Sequence, residues 1–437
     1  MKILIKTLIL FIISFSLHAK IKKEFEDLEL FNKVLYLIDS QYYKKVDTSK
    51  LIHGAIKGMM DTLDPHSSFL SKDLFEKMKI DTSGEFGGLG LEVTQKDGVI
   101  YVISPIDDTP AYKVGIKPGD KIVEINGKST VGLGLENAVK KMKGKVNTFI
   151  TLGIIRKGVK GIKKFRLKRE LIKILPVKTA LIEKDFLYIR LTQFQKNSAK
   201  AIKESYLKYT KEKKALRGIV LDLRSNPGGL LEQAIEVSSI FLKKGVVVST
   251  EGRDGKRKDV RYVVEKGLKL LNIPLVVLIN GASASASEIV AGALQDYRRA
   301  IIMGSESFGK GSVQTVAKID KENGLKLTIA EYMTPNNRKI QAKGIVPDIY
   351  LDEYDAQWMK KNKKKEIFIR EKDLKNHLSA TIDKDDEKKL QDDTKKSKKL
   401  DKVKDEILSK YDPKRDFQVI QAVHYLKSFK IFKAMQN

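Results

Sequence analysis

The sequence predicts an α/β protein whose core is a mainly parallel, helix-covered sheet. An embedded β-rich domain and helical N- and C-terminal segments complete it. Three observations lead there. From Phe186 onward apolar strands alternate with helical stretches; between Gly84 and Ile155 short β-type runs are punctuated by glycine; and near both ends apolar residues recur at helical spacing. At 437 residues, 42% hydrophobic and 32% charged, the chain is globular and too long for one ordinary core.

The first segment, 1–19, has the layout of a secretory signal peptide. Lys2 and Lys6 precede an apolar run from Thr7 to Leu17, too short for a comfortable membrane span, and Ala19 follows as a cleavage position. The chain contains no cysteine, which removes disulfides, thiol nucleophiles and zinc-thiolate sites. Net charge is +29, from 84 Lys+Arg against 55 Asp+Glu. For an exported chain this fits an anionic cell envelope, with association at the membrane surface or through an adaptor left open, better than nucleic acid.

Residues 20–80 read as a helical region, with Phe31, Val34, Leu35 and Ile38 on one face and Ile52, Ile56, Met59, Met60 and Leu63 on another. Asp64-Pro65-His66-Ser67-Ser68 breaks the pattern, and Ser71 then caps a short helix ending near Lys79. Residues 81–169 change to short strands and tight turns, including Gly115-Ile116-Lys117-Pro118-Gly119-Asp120 and Asn126-Gly127. Residues 170–358 form the α/β core. Strands are expected at Phe186 to Leu191, Gly218 to Leu223, Val246 to Ser249, Leu275 to Ile279, Ala300 to Met303 and Leu325 to Met333, all continuing one alternation. In 359–437 a lysine-rich, charge-alternating run precedes an amphipathic helix near Phe417 to Leu426. That helix is expected to dock on the N-terminal helices or on a second subunit, which would make a homodimer.

The chemistry is narrowed by elimination. Histidines occur only at 18, 53, 66, 377 and 424, so a Ser-His-Asp triad confined to the α/β core cannot be built, and no His-Glu-x-x-His metal motif exists. A hydrolase here needs another base, and lysine is the obvious one. Ser285 opens a helix in Ser285-Ala286-Ser287-Glu288, a pattern that also reads as a capping box. Both readings put the serine at a helix N-terminus, where backbone N–H groups favour developing negative charge. From this stretch alone, Ser283 and Ser287 are rivals. Gly304 to Lys310 matches the first seven positions of a phosphate-binding loop, but Gly311 stands where Ser or Thr should hold magnesium.

Two resemblances add to this. Gly88-Leu89-Gly90-Leu91, Ser104-Pro105, Gly115 to Asp120 and Ile125-Asn126-Gly127 resemble a PDZ domain. In that family the loop corresponding to Gly88, Leu89, Gly90 and Leu91 receives the carboxylate of a bound C-terminus. Together with Asp64 to Ser68, Asp222-Leu223-Arg224-Ser225-Asn226-Pro227-Gly228-Gly229, Ser283 to Ile289, Phe308 to Gln314 and Lys343 to Asp348, the chain from about 30 to 350 resembles the carboxyl-terminal processing proteases. The resemblance implies Ser285 as nucleophile, Lys310 as general base and Gln314 as the residue orienting the lysine. It further implies the N–H groups of Gly229 and Ala286 as an oxyanion hole, protein substrates with free C-termini, no cofactor, and a periplasmic or envelope location. A catalytically inactive PDZ scaffold is the alternative. If Gln314 is to reach Lys310, residues 310–314 must form a helical turn, since four residues along a strand span roughly 13 Å.

Overall fold

The computed structural model describes residues 26–211, 215–255, 257–320, 322–352, 368–374, 376–378 and 411–435. The expected signal peptide and most of the charged run after Lys360 lie outside these residues. Among those described, no helix is long and apolar enough to cross a membrane.

The chain forms two units, Met1–Phe69 and Leu70–Asn437. In the first, a helix over 26–41 is followed by a helix at Thr48–Asp61. Asp47 caps the second helix, its carboxylate accepting the N–H of Ser49 at 3.1 Å and of Lys50 at 3.4 Å. The Asp64 to Ser68 break is an Asx turn: Asp64 Oδ1 accepts the N–H of His66 and of Ser67, both at 2.8 Å, and Oδ2 accepts the Ser67 hydroxyl at 2.6 Å.

The second unit begins with a helix at Lys72–Ser83, one turn longer than the sequence suggested, ended by Gly84 in the left-handed region. The β-rich domain follows. Its antiparallel sheet runs in the order Leu91–Lys96, Val99–Pro105, Lys121–Ile125, Phe149–Ile155, Lys163–Lys168. Alternate residues of these strands (Ile100 and Val102; Ile150, Leu152 and Ile154) are buried against Ala138 and Met142 of the helix Leu135–Met142. Leu91 and Val93 of the strand Leu91–Lys96, and Leu135 and Val139 of that helix, pack against this cluster and stay partly exposed.

The core sheet has six strands in the order Val177–Ile182, Phe186–Leu191, Gly218–Asp222, Leu275–Ile279, Ile301–Gly304, Ile349–Tyr350. Its first pairing is antiparallel and the other four are parallel. Strand alternation sorts the side chains. Leu187, Ile189, Ile219, Leu221, Val277 and Ile279 face the helices Ser198–Thr210, Leu231–Phe241 and Ala286–Asp296. Phe186, Tyr188, Val220, Val276 and Leu278 face the other way, onto Val419, Ala422, Val423 and Leu426 of the helix Phe417–Met435. Burying each larger apolar side chain there contributes about 1.5–3 kcal/mol.

Two expectations are corrected here. Val246 to Ser249 and Leu325 to Met333 do not extend the parallel sheet. The strands Val246–Gly252 and Gly324–Met333 pair antiparallel in a second sheet with Arg257–Tyr262 and Ser312–Lys318, so mainly parallel pairing holds for the core sheet alone. The hairpin between Ser312 and Met333 satisfies its backbone locally, and no periodicity argument distinguishes such a strand from one fed by a crossover. The C-terminal helix, expected on the N-terminal helices or a partner, covers the open face of the chain's own core sheet.

Candidate active site

Asp222, Ile279 and Gly304 end three adjacent parallel strands, with Asp222 opposite Leu278 and Ile279 opposite Gly304. The loops leaving these carboxyl ends, 223–229, 280–285 and 305–311, therefore meet above one edge of the sheet, the usual place for chemistry in such folds. Gly229, Ser285 and Lys310 each lie on one of them.

Asn226 ties the first loop to the second. Its side chain donates to the Leu191 carbonyl at 2.8 Å and accepts the Gly228 N–H at 2.9 Å, while its carbonyl accepts the Ala284 N–H at 3.0 Å and the Ser287 hydroxyl at 2.9 Å. The three candidate serines are thereby separated. Ser283 is fully buried and donates to the Leu223 carbonyl at 2.8 Å; Ser287 is fully buried and committed to Asn226. Ser285 is half-buried at the mouth of the turn.

Ser285 has φ 55 and ψ −112, a strained conformation for a residue with a Cβ. Strand, sharp turn and helix make it resemble the elbow on which many hydrolases expose a nucleophilic serine. The turn is close enough to the glycine loop that a Cβ built on Gly228 would lie 2.8 Å from Ser285 Cβ and 2.9 Å from the Ala286 nitrogen. The N–H groups of Gly229 and Ala286 have no hydrogen-bond partner among the described residues; Ala286 is buried, whereas Gly229 is exposed. An unpaired buried donor such as that of Ala286 is rare and calls for an acceptor.

Glu288, which the sequence offered only as half of a capping box, joins the other two loops. It is fully buried. Its Oε2 accepts the N–H of Ser285 at 2.7 Å and of Lys310 at 2.9 Å; its Oε1 accepts the Ser307 hydroxyl at 2.5 Å and the Gly309 N–H at 2.7 Å. Burial pushes its carboxyl up to about 7, with Ser307, Gly309, Ser285 and Lys310 pulling the other way. A phosphate-binding loop is ruled out by the same bonds, because the amides of Gly309 and Lys310 that would cradle a phosphate already hold a carboxylate.

The expected helical turn at 310–314 is absent. Ser312–Lys318 is a strand, and the Gln314 amide donates to the Ser312 hydroxyl at 2.7 Å and carbonyl at 3.2 Å, and to Thr328 at 3.4 Å. Pairing with Gly324–Met333 satisfies this backbone where a turn would not, and a register shift between Val313 and Gln314 re-aims the side chain.

A second buried network lies behind the glycine loop. Asp222, fully buried, accepts Arg224 Nε at 2.9 Å, the second Arg224 nitrogen at 2.7 Å and the Tyr188 hydroxyl at 2.7 Å. Burial raises its carboxyl, but Arg224 and Arg190 outweigh this and hold it below the usual range. Arg224 also reaches Asp416 at 3.1 Å and Gln418 at 2.7 Å. In the β-rich domain, the N–H groups of Leu89 and Gly90 have no partner among the described residues, while their carbonyls accept the N–H of Ala111 at 2.9 Å and of Ile106 at 2.8 Å.

A half-buried serine on a strained turn, joined in one chain to a peptide-binding type of β domain, defines a serine-type peptidase, and comparison with known proteins bears this out. Residues 185–351 match the model of peptidase family S41, residues 77–155 that of the PDZ domain, and residues 14–74 that of the N-terminal domain of the activating protease CtpB. The chain is 45% identical over 366 residues to the carboxy-terminal-processing protease of Bartonella bacilliformis, covering 83% of this chain and 82% of the relative. It is 38% identical over 320 residues to the carboxy-terminal processing protease CtpA of Bacillus subtilis, covering 73% and 67%. The solved photosystem II D1 C-terminal processing protease is 28% identical, covers 74% of this chain and 92% of its own, and superposes with a TM-score of 0.44. The chain belongs to peptidase family S41, among the carboxy-terminal processing proteases.

Proposed function

We propose that the chain is an exported serine endopeptidase of the periplasm or cell envelope that takes protein substrates by their free C-termini and cleaves them at Ser285. The observation that carries this reading is the conjunction at Ser285: a strained, half-buried serine beside two unpartnered N–H donors.

The substrate's terminal carboxylate binds the N–H groups of the loop from Gly88 to Leu91, and its last residues add as a strand beside Leu91–Lys96. Leu91, Val93, Leu135 and Val139 give that groove an apolar floor, which favours apolar C-terminal side chains. At the catalytic centre Ser285 Oγ attacks the scissile carbonyl while its proton passes to neutral Lys310 Nζ. The oxyanion that forms is held by the N–H groups of Gly229 and Ala286. Collapse breaks the C–N bond, and the Lys310 ammonium returns the proton to the leaving amine. Water, deprotonated by Lys310, then hydrolyses the Ser285 ester. No step calls for a cofactor. Gln314 enters this scheme only if its amide leaves Ser312. The net charge of +29 suits an anionic envelope surface.

Degradation of an unfolded, fluorescently labelled casein by wild type, Ser285→Ala and Lys310→Ala tests the assignment. Activity in the wild type and its loss in both variants is expected; equal rates in all three would remove it, and inactivity of all three would favour a PDZ scaffold.

A further inference from the structure

The loop bearing Lys310 is held from two sides, and one of them is supplied by chain beyond the stretch that matches the peptidase family. On the inner side Glu288 takes the N–H groups of Gly309 and Lys310. On the outer side a run of hydrogen bonds passes through Gln341 and Glu371. The Glu371 N–H donates to the Phe308 carbonyl at 3.1 Å; Gln341 Nε2 donates to Glu371 Oε1 at 2.8 Å; and Gln341 Oε1 accepts the Gly311 N–H at 2.9 Å. The backbone two residues before Lys310 and one residue after it is thus tied together through two side chains that are both fully buried.

Neighbouring contacts fasten the same stretch. Gln341 Nε2 also donates to the Leu378 carbonyl at 3.1 Å, Arg370 pairs with Glu306 and donates to the Lys343 carbonyl at 2.8 Å, and a Cβ on Gly281 would meet Phe368 at 2.5 Å. Residues 368–374 therefore touch both the turn that leads to Ser285 and the loop that carries Lys310. That loop needs external support. Lys310 lies between two glycines, Gly309 has φ 97, and neither neighbour offers a Cβ to fix the backbone. The direction in which the lysine projects is set by what binds the peptide groups around it.

We propose that Glu371, acting through Gln341, is a positioning residue for Lys310, and that residues 368–374 are a strap completing the catalytic site from outside the family-matched segment. The proposal rests on the reading of Lys310 as general base. A buried carboxylate and amide are costly unless fully bonded, and here their bonds converge on the peptide groups beside one lysine.

The test measures kcat, KM and the pH dependence of kcat on labelled casein for Glu371→Ala, Gln341→Ala, the double variant and Glu371→Gln, beside Ser285→Ala. Displacing a catalytic group by about 1 Å costs on the order of 100-fold, so kcat is expected to fall about 10- to 100-fold in Glu371→Ala with KM within about twofold. The pH at which kcat rises should move. The double variant should be no slower than either single one, because both break the same path. Glu371→Gln keeps an oxygen acceptor for Gln341 and should recover most of the rate. Wild-type kcat and pH profile in Glu371→Ala, with Ser285→Ala inactive, would overturn the strap while leaving the active-site reading intact; a fully active Ser285→Ala would remove that reading itself. Should Glu371→Ala lose its cooperative melt, Glu371→Asp decides: it keeps the charge but withdraws the carboxylate by one methylene, and an unchanged kcat overturns the proposal.

Discussion

Ser285 and Lys310 share one hydrogen-bond acceptor. Oε2 of Glu288 takes the N–H of the first at 2.7 Å and of the second at 2.9 Å, which holds the two backbone nitrogens within two hydrogen-bond lengths of each other. The relative position of the backbones that carry the proposed nucleophile and base is therefore set by one buried side chain.

Glu288→Gln should disarm the enzyme without dismantling it. Four donors converge on the carboxylate, and whichever way the amide is turned its NH2 faces two of them. We expect kcat to fall on the order of 100-fold from misplacement of the two loops, and stability to fall by about 1–3 kcal/mol for the unpaired donors. Steady-state cleavage of casein and denaturant unfolding measure the two effects. A Gln variant with wild-type kcat would show that the shared acceptor has no part in catalysis.

The same residue gives stability a pH dependence of definite sign. Burial raises the Glu288 carboxyl from its ordinary 4.5 to about 7. A group whose pKa is raised in the folded state stabilises the fold fully below its unfolded value and loses that contribution as pH climbs through the folded one. The unfolding free energy of the wild type, relative to Glu288→Gln, should thus fall by roughly 3 kcal/mol between about pH 4.5 and 7, and stay level above. Activity should run the opposite way, because only the ionised carboxylate accepts all four donors. A wild-type-minus-variant difference that is flat from pH 5 to 8 would contradict this.

How far the sequence disclosed this site depends on the range of the interactions. The glycine loop and Ser285 were legible because each is a local constraint, a turn that demands positive φ or a strand that meets a helix. The core strands were legible because side-chain alternation reports burial directly. Glu288 was visible only as a capping residue, since its partners at Ser307, Gly309 and Lys310 lie about twenty residues on. Glu371 was hidden further, in a stretch whose lysines suggest solvent; an acid set among Arg370, Lys372 and Asp373 carries no periodic signal, and only tertiary contact makes it buried. Gln314 shows the reverse: the spacing from Lys310 suited a helix, and cross-strand pairing with Gly324–Met333 decided the backbone instead.

Gly228→Ala should affect catalysis directly, because its new methyl would press on the serine itself. Gly228 has φ 98, and its new Cβ would lie 2.8 Å from both Ser285 Cβ and the Ala284 carbonyl oxygen. Relief requires moving either the serine or the glycine loop. The backbone strain alone costs on the order of 1–3 kcal/mol, and kcat should drop about 100-fold. An alanine variant with normal kcat would mean that the two loops are not held against each other in the working enzyme.

Peptide capture can be probed without mutating the protein. The N–H groups of Leu89 and Gly90 lack partners among the described residues, so a carboxylate gains two donors there that a primary amide satisfies less well. A fluorescent peptide with an apolar free C-terminus should bind at least about tenfold more tightly than its C-terminally amidated form, roughly 1.4 kcal/mol. Equal affinities would place the peptide elsewhere.

Arg224 clips the C-terminal segment to the glycine loop. Arg224 lies five residues before Gly229; it binds Asp222 on one side and Asp416, Gln418 and Tyr411 on the other, the last at 3.2 Å. Removing its side chain in Arg224→Ala leaves Asp222 fully buried with Tyr188 and the more distant Arg190 at 3.5 Å, and should destabilise the fold by about 3–5 kcal/mol, as breaking a buried pair does. Asp416→Asn is the sharper experiment. Arg224 keeps Asp222, so the buried charge stays paired and the fold should lose only about 1 kcal/mol. What weakens is the hold of residues 411–418 on the arm that leads into Ser225-Asn226-Pro227-Gly228-Gly229. If the clip fixes the Gly229 N–H, kcat falls while KM and PDZ-peptide affinity do not; if the C-terminal helix only covers the sheet, stability falls and kcat of the folded fraction is unchanged.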